Sequence, residues 1–179
     1  MGYYWDTNVF WYFMVNKEVV LTNPTEFNLL KDHELSPLKA KPAYISLFTI
    51  EEFLFNASEG KVGKTLNINK SFNEWVDDIY EFKNLFKEAE GITIDQLSVS
   101  FFDLLNKFRR LGIENNRMPK TKDLLHFIVA EKAKCSTFIT SDSEFKIFGG
   151  MGQELGIKNI ITIAFLDKNP CLPKTDIIL

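Results

Sequence analysis

Cysteine and long apolar runs are both scarce in this chain of 179 residues. Its two cysteines, Cys135 and Cys171, are far apart and form no CxxC pair. This spacing provides neither a disulfide framework nor a zinc site, and it is typical of proteins in a reducing cytoplasm. No apolar run approaches the roughly 18 residues needed to span a bilayer, and the first residues lack a basic segment followed by a cleavage site. We therefore expect a cytoplasmic protein without a membrane segment.

An excess of basic charge is also absent, because 21 Lys and Arg residues face 24 Asp and Glu residues, for a net charge of -3. This balance argues against a protein that binds nucleic acid through a broad basic surface. It does not exclude an enzyme that contacts nucleic acid through a local patch or a metal ion. With 45% hydrophobic residues, the length predicts a single domain over residues 1–179.

Short apolar runs alternate with longer segments whose apolar residues recur at helical spacing. The runs that predict strands are Tyr3–Trp5, Ala43–Ser46, Gly91–Ile94, Thr137–Thr140 and Ile160–Phe165. The segments that predict helices include Phe72–Lys87, Leu97–Arg110 and Leu124–Ala133. Such alternation predicts an α/β fold in which helices cover both faces of a mostly parallel sheet, giving three layers.

The polar segment 56–70 (NASEGKVGKTLNINK) predicts an exposed loop or arm between helices. It contains GKVGKT, which is similar to a phosphate-binding loop. The pattern GxxxxGK[ST] ending at Thr65 requires a glycine where this chain has Ser58, and no apolar strand leads into the segment. We therefore do not expect a nucleotide site there.

Two aspartates follow predicted strands. Asp6 comes directly after Tyr3–Trp5, and Asp142 lies just past Thr137–Thr140. Ligands of open α/β sheets bind at the carboxyl ends of the strands. Each aspartate also has a local explanation, because Asp6 is suited to cap a helix and Asp142 to form a Ser-Asp-Ser turn.

Two further acidic positions lie near predicted helix starts. The segment from Thr49 to Glu52 matches a capping box in which Thr49 caps the helix and Glu52 reaches back to it, with Glu51 adjacent. Asp123 falls in a first helical turn for which Thr121 is the expected N-cap, and the helix dipole favours an anion there by roughly 0.3 to 1 kcal/mol. The rest of that helix is apolar, so Asp123 is expected to point out of the core.

The same layout thus occurs four times, at Asp6, Glu52, Asp123 and Asp142. If the strands are parallel, these acids converge on one edge of the sheet. Two unit charges about 4 Å apart repel by roughly 4 kcal/mol at an effective dielectric near 20, so the cluster requires protonation or a cation. Carboxylate oxygens select Mg²⁺ or Mn²⁺. The chemistry this favours is metal-assisted hydrolysis of phosphodiester bonds.

Taken together, the motifs resemble the PIN domain nucleases. The matching segments are Asp6-Thr7-Asn8 after a strand, Ile45-Ser46 followed by Thr49-x-x-Glu52, Asp123-Leu124-Leu125-His126 at a helix start, and Phe138 to Asp142 with Phe145 beyond. The resemblance implies a doubly wound α/β/α fold, bound Mg²⁺ or Mn²⁺, and cleavage of RNA. Many small bacterial members are toxins held inactive by an antitoxin, so the resemblance also implies a protein partner of that kind.

The resemblance assigns roles to individual residues. The catalytic and metal-binding acids are Asp6, Glu52, Asp123 and Asp142. Thr49 sets the register that selects Glu52 rather than Glu51, and Asn8 matches a residue that orients the first aspartate. The remaining matches are Thr140 or Ser141, which would hold Asp142 or a substrate phosphate, and Glu144, near a further acid of some members.

Other residues have open roles. His126 shares a helix face with Asp123, so it either contacts the site or packs in the core. Candidates for phosphate contacts are Lys120, Lys122, Arg109 and Arg110. Aromatic residues near the N-terminus and in residues 70–86 fill the core by default, but where exposed they would suit a homodimer or an antitoxin groove.

Two alternatives to a nuclease are open. In the first, the chain is a PIN-like scaffold that has lost catalysis and binds RNA or protein. In the second, Asp6 is the nucleophile of a phosphoryl-transfer enzyme. The second is weaker, because haloacid-dehalogenase-like phosphatases use another aspartate two residues on, where this chain has Asn8.

Overall fold

Five parallel strands form one sheet within the part of the chain that the computed structural model describes. This part comprises residues 2–22, 43–62, 68–82, 86–89, 101–114, 120–142, 145, 148–154 and 156–162. The strands are β1 (Gly2–Trp5), β2 (Ala43–Ser46), β3 (Phe86–Ala89), β4 (Cys135–Thr140) and β5 (Asn159–Thr162). Their order is β3-β2-β1-β4-β5, and every neighbouring pair is parallel. The predicted parallel sheet is confirmed.

Helices connect these strands and cover the sheet. They are α1 (Thr7–Thr22), α2 (Leu47–Ser58), α3 (Phe72–Phe82), α4 (Phe101–Glu114), α5 (Thr121–Lys132) and α6 (Gly149–Glu154). None of these helices is long and apolar enough to cross a membrane.

Two separate buried clusters show that helices lie on both faces of the sheet. Successive residues of a strand point to opposite faces, and β1 follows this rule. Trp5 packs in one cluster with side chains of α1, α2 and α3. Tyr4 packs in the other with side chains of α4, α5 and α6. The predicted three-layer α/β/α architecture is therefore confirmed.

Aromatic packing fixes the central strands against the second helical layer. The ring of Tyr4 stacks on Phe138 of β4, with ring centroids 5.3 Å apart. The ring centroid of Phe127 in α5 lies 4.7 Å from that of Phe138. All three side chains are fully buried. Burial of each such side chain contributes roughly 1.5 to 3 kcal/mol, so the ends of β1 and β4 are held rigidly beside α5.

The sequence pattern is wrong about one helix end. It predicts a helix from Phe72 to Lys87, but α3 ends at Phe82, and Lys87 lies in β3, where it pairs with Tyr44 of β2. The apolar residues at positions 82, 86 and 89 recur at spacings of four and three, so they continue the helical pattern although the chain has become a strand. The strand predicted at Gly91–Ile94 lies outside the described residues.

The predicted loop at 56–70 is only partly a loop. Helix α2 continues to Ser58, and Gly60 then adopts a left-handed φ of 65°, which glycine accommodates without steric cost. Val62 is buried in the same apolar cluster as Trp5. Lys70 pairs with Asp78 of α3 over 2.7 Å. Both ends of the segment are thus packed on the helical layer, and residues 63–67 lie outside the described part.

Candidate active site

The strand order places a switch point at the centre of the sheet. From β1 the chain proceeds to β2 on one side, whereas β4 lies on the other side. In open α/β sheets the crevice at such a point, outside the carboxyl ends of the strands, is where ligands bind. Asp6 directly follows β1, and Asp142 lies two residues beyond the end of β4.

Asp6 is buried, with 4% of its surface exposed. Its Oδ1 accepts the backbone N–H of Thr7 over 2.7 Å, and its Oδ2 accepts the hydroxyl of Thr140 over 2.7 Å. The amide of Asn8 is 3.4 Å from Oδ2, so the predicted contact between Asn8 and Asp6 is present but long. Burial raises the pKa of Asp6, and the nearby His126 with the two short hydrogen bonds partly opposes this increase.

Asp123 is the half-buried third residue of α5, in the first helical turn, as predicted. Burial and the charge of Asp6 raise its pKa to about 6, and the charge of Asp142 adds to the increase. Asp142 is tied to the same region, because its backbone N–H donates to the Thr140 hydroxyl over 3.0 Å. The three aspartates therefore form one electrostatically coupled group at the carboxyl edge of β1 and β4.

Thr121 is not the N-cap of α5, contrary to the sequence prediction. It is the first helical residue, and the N-cap is Lys120, which makes no capping hydrogen bond with its side chain. The Lys120 side chain thus caps none of the backbone N–H groups in the first turn of α5, and Asp123 lies in this turn.

Glu52 is held by three side chains, one from α1 and two from α5. Its Oε2 accepts the hydroxyl of Thr7 over 2.6 Å and lies 3.3 Å from Nε2 of His126. Its Oε1 lies 3.1 Å from Nζ of Lys122, which is also 3.5 Å from Glu51. The contact with His126, supported by Thr7 and Lys122, lowers the pKa of Glu52 to about 2. Glu52 is therefore ionised, and the ammonium group of Lys122 places a positive charge beside it.

The capping box predicted at Thr49 and Glu52 is also wrong. The N-cap of α2 is Ser46, whose hydroxyl accepts the N–H of Thr49, while the Thr49 hydroxyl accepts the N–H of Ser46. The pattern admits both registers, because a serine and a threonine stand three residues apart. Since the box closes one turn earlier, Glu52 is not needed for capping and its carboxylate faces the site.

His126 is both buried and in contact with the site, so its two open roles coincide. It is 1% exposed, and its Nδ1 lies 2.7 Å from the hydroxyl of Tyr4. That hydroxyl is also 2.6 Å from Oγ of Ser46, and burial raises the pKa of Tyr4. The sequence pattern assigns no contact in the site to Tyr4 or Thr7. A tyrosine inside a buried strand was the available signal for Tyr4, because its hydroxyl needs a hydrogen-bond partner there.

Comparisons with known proteins support the fold and no more. No family model and no curated protein matches this chain. A chain in the crystal structure of VapBC2 from Rickettsia felis bound to a DNA fragment from their promoter is similar, with 15% sequence identity and a TM-score of 0.52. The match covers 90% of this chain and 98% of the other. The fold is PIN-like. At this identity the likeness concerns the fold alone.

The other residues that the sequence predicts for the site differ in their surroundings. Ser141 is half-buried between Thr140 and Asp142, whereas Glu51 is exposed. Arg109 and Thr121 border an apolar cavity of about 470 Å³ beside α4. Glu144 lies outside the described residues.

The donor chemistry fits a hard divalent cation, but the side chains are not gathered around one point. Burial raises the pKa values of Asp6 and Asp123, the charges of neighbouring acids add to both increases, and a cation would offset this repulsion. Within the described part of the chain, however, no three His, Cys, Asp or Glu side chains are close enough together to hold one metal ion. Glu52 instead contacts Lys122 and His126. Shared coordination would therefore require the side chains to converge.

Proposed function

We propose that this chain is a metal-dependent endoribonuclease that hydrolyses phosphodiester bonds of RNA. The observation that carries the proposal is the grouping of three aspartates at the switch point of a PIN-like sheet, where burial, together with the charges of Asp6 and Asp142, raises the pKa of Asp123. Perturbed carboxylates at the ligand-binding edge of a sheet are typical of functional sites. Their anionic form is stabilised by Mg²⁺ or Mn²⁺.

The proposed metal-binding and catalytic residues are Asp6, Glu52, Asp123 and Asp142. A bound divalent ion supplies an activated water and stabilises the charge that develops on the phosphate. The chain's own residues orient these ligands. Thr140 holds Asp6 and the backbone of Asp142, and Thr7 holds Glu52. Lys122 provides a partly exposed positive charge beside Glu52 for an RNA phosphate.

We further propose that the ribonuclease is the toxin of a cytoplasmic toxin-antitoxin pair. The resemblance to PIN nucleases supports this, and so does the fold match to VapBC2, a complex that binds DNA from its own promoter. Phe72, Val76 and Tyr80 form an exposed apolar stripe along α3, which suits a protein partner, either an antitoxin or a second copy. The proposal predicts an adjacent small gene whose product relieves growth inhibition by this chain.

The test of the nuclease activity compares wild type with an Asp6→Asn, Asp123→Asn double variant on single-stranded RNA with Mn²⁺ or Mg²⁺. We expect metal-dependent cleavage by wild type and its loss in the double variant. An Asp77→Asn, Asp103→Asn double variant is the matched control, because both residues are exposed acids on helices. Cleavage that survives the first double variant would remove these acids from the mechanism.

The second candidate function is a PIN-like scaffold that binds RNA or protein without catalysis. The contacts of Glu52 with Thr7, His126 and Lys122 favour it, because they give this carboxylate hydrogen-bond partners and a neighbouring positive charge without a metal ion. Calorimetric titration with Mn²⁺ separates the two functions. The enzyme should give a binding isotherm that the Asp6→Asn, Asp123→Asn variant lacks, whereas the scaffold should give none.

A further inference from the structure

A continuous path of buried hydrogen bonds leads from the start of α2 to Glu52. Oγ of Ser46 lies 2.6 Å from the Tyr4 hydroxyl, which lies 2.7 Å from Nδ1 of His126. Nε2 of His126 then lies 3.3 Å from Oε2 of Glu52. Ser46, Tyr4 and His126 are each at most 2% exposed. The path thus joins the buried hydroxyl of Ser46 to Glu52, the acid that α2 contributes to the site.

The direction of the hydrogen bonds follows from the acceptor at the end of the path. An ionised carboxylate only accepts, so Nε2 of His126 must carry the hydrogen that faces Glu52. In the neutral imidazole Nδ1 then accepts, and the Tyr4 hydroxyl donates to it. The Ser46 hydroxyl can in turn donate to the Tyr4 oxygen. Every buried polar atom of the path therefore has a partner of the correct kind, which fixes the orientation of the imidazole ring.

We propose that His126, oriented by Tyr4, is a positioning residue that determines where the Glu52 carboxylate points. The effect of His126 on metal binding rests on the proposed nuclease function, whereas the effect of His126 on the Glu52 conformation does not. Thr7 and His126 reach Oε2 from α1 and α5, so two helices fix this oxygen. The contact of Oε1 with Lys122 is weaker support, because half of that lysine side chain is exposed.

Two substitutions test the two nitrogen atoms of the His126 imidazole separately. In His126→Gln the side-chain amide nitrogen replaces Nε2 and can still donate to Glu52. In His126→Asn the shorter amide reaches the position of Nδ1 and the Tyr4 hydroxyl, but not Glu52. Hydrogen bonds from surrounding residues to metal ligands typically affect metal affinity by about 10- to 100-fold. We expect Mn²⁺ binding to weaken about tenfold in His126→Asn and by less than about threefold in His126→Gln.

Crystal structures of the two metal-free variants provide a readout that needs no activity. Glu52 should keep its conformation in His126→Gln and turn away in His126→Asn. The inference is overturned if Glu52 is unchanged in His126→Asn, or if the two variants lose the same Mn²⁺ affinity. Wild type that neither binds Mn²⁺ nor cleaves RNA would contradict the proposed function instead, and the Glu52 conformations would still decide the inference.

Tyr4→Phe tests the path without altering the imidazole. The phenylalanine keeps the stacking on Phe138 but removes the hydroxyl that orients His126. We expect Mn²⁺ binding to weaken by about threefold or more. Tyr44→Phe, in β2, is the matched control and should bind Mn²⁺ like wild type. Equal affinities in the two tyrosine variants would contradict a role for Tyr4 in orienting His126.

Discussion

The hydroxyl of Thr140 donates to Oδ2 of Asp6 over 2.7 Å and joins the carboxyl ends of β4 and β1. The hydroxyl oxygen of Thr140 also accepts the backbone N–H of Asp142 over 3.0 Å. Thr140 is fully buried. One side chain therefore holds the first and fourth acids of the proposed site relative to each other, although 136 positions separate Asp6 and Asp142 in the sequence (142 minus 6).

Thr140→Val is predicted to lower the free energy of unfolding and to weaken Mn²⁺ binding. The valine keeps the shape of the side chain but removes the hydroxyl that donates to Oδ2 of the buried Asp6, and this loss costs roughly 1 to 3 kcal/mol. Urea unfolding and Mn²⁺ titration measure the two effects. Thr137→Val, in the same strand, is the control and should leave Mn²⁺ affinity unchanged. Equal Mn²⁺ affinity in wild type and Thr140→Val would show that Thr140 does not orient the site.

Asp123→Asn is predicted to stabilise the metal-free protein near neutral pH. The folded protein has a pKa of about 6 for Asp123, against roughly 3.9 for an unfolded aspartate. Because the folded value is the higher one, this residue favours the folded state most below about pH 4, and that stability is lost as pH rises through about 6. After allowance for solvent screening at this half-buried group, the gain from the substitution is about 1 kcal/mol.

Urea unfolding in a chelator across this pH range checks the prediction. The advantage of Asp123→Asn over wild type should grow between about pH 4 and 6 and then remain constant. Asp103→Asn is the matched control, since Asp103 is also the third residue of its helix, α4, but is exposed. A pH-independent difference between Asp123→Asn and wild type would argue against the raised pKa.

Lys122→Ala is predicted to bind Mn²⁺ more tightly than wild type, by about threefold or more at low salt. The ammonium group lies 3.1 Å from Oε1 of Glu52, where it competes with a cation and repels it. Affinity for RNA should fall in the same variant, because a positive charge beside the site is lost. Lys132→Ala, at the other end of α5, is the control for both titrations. Weaker Mn²⁺ binding by Lys122→Ala would contradict this competition.

The thiol of Cys135 is predicted to resist alkylation in the folded protein. Cys135 is buried at the start of β4, and burial raises the pKa of its thiol to about 12, whereas the thiolate is the reactive form. A Cys171→Ser variant leaves Cys135 as the single thiol for a colorimetric reagent. It should react only when urea unfolds the chain. Rapid reaction of the folded variant would contradict the burial of β4.

The sequence was sufficient for the parallel sheet, the three layers and the placement of Asp6, Asp123 and Asp142 near strand or helix ends. Alternation of apolar strands with helical periodicity determines these features, because burial of apolar side chains is a local pattern repeated along the chain. The same local pattern placed the end of α3 wrongly, since Phe82 and Phe86 have a spacing that suits a helix as well as a strand leading into it.

The orientation of the acids was decided only by tertiary structure. Ser46 and Thr49 form the capping box one turn earlier than predicted, so Glu52 takes no part in it. Glu52 instead contacts Thr7, Lys122 and His126, which are remote in sequence. The pKa of Asp123 likewise depends on its burial and on the charges of Asp6 and Asp142, which the fold places beside it. Residue types and spacing identify which groups can ionise or donate. Only the packed fold determines which of them face one another, because hydrogen bonds and charge coupling act over a few ångströms of space whatever the distance along the chain.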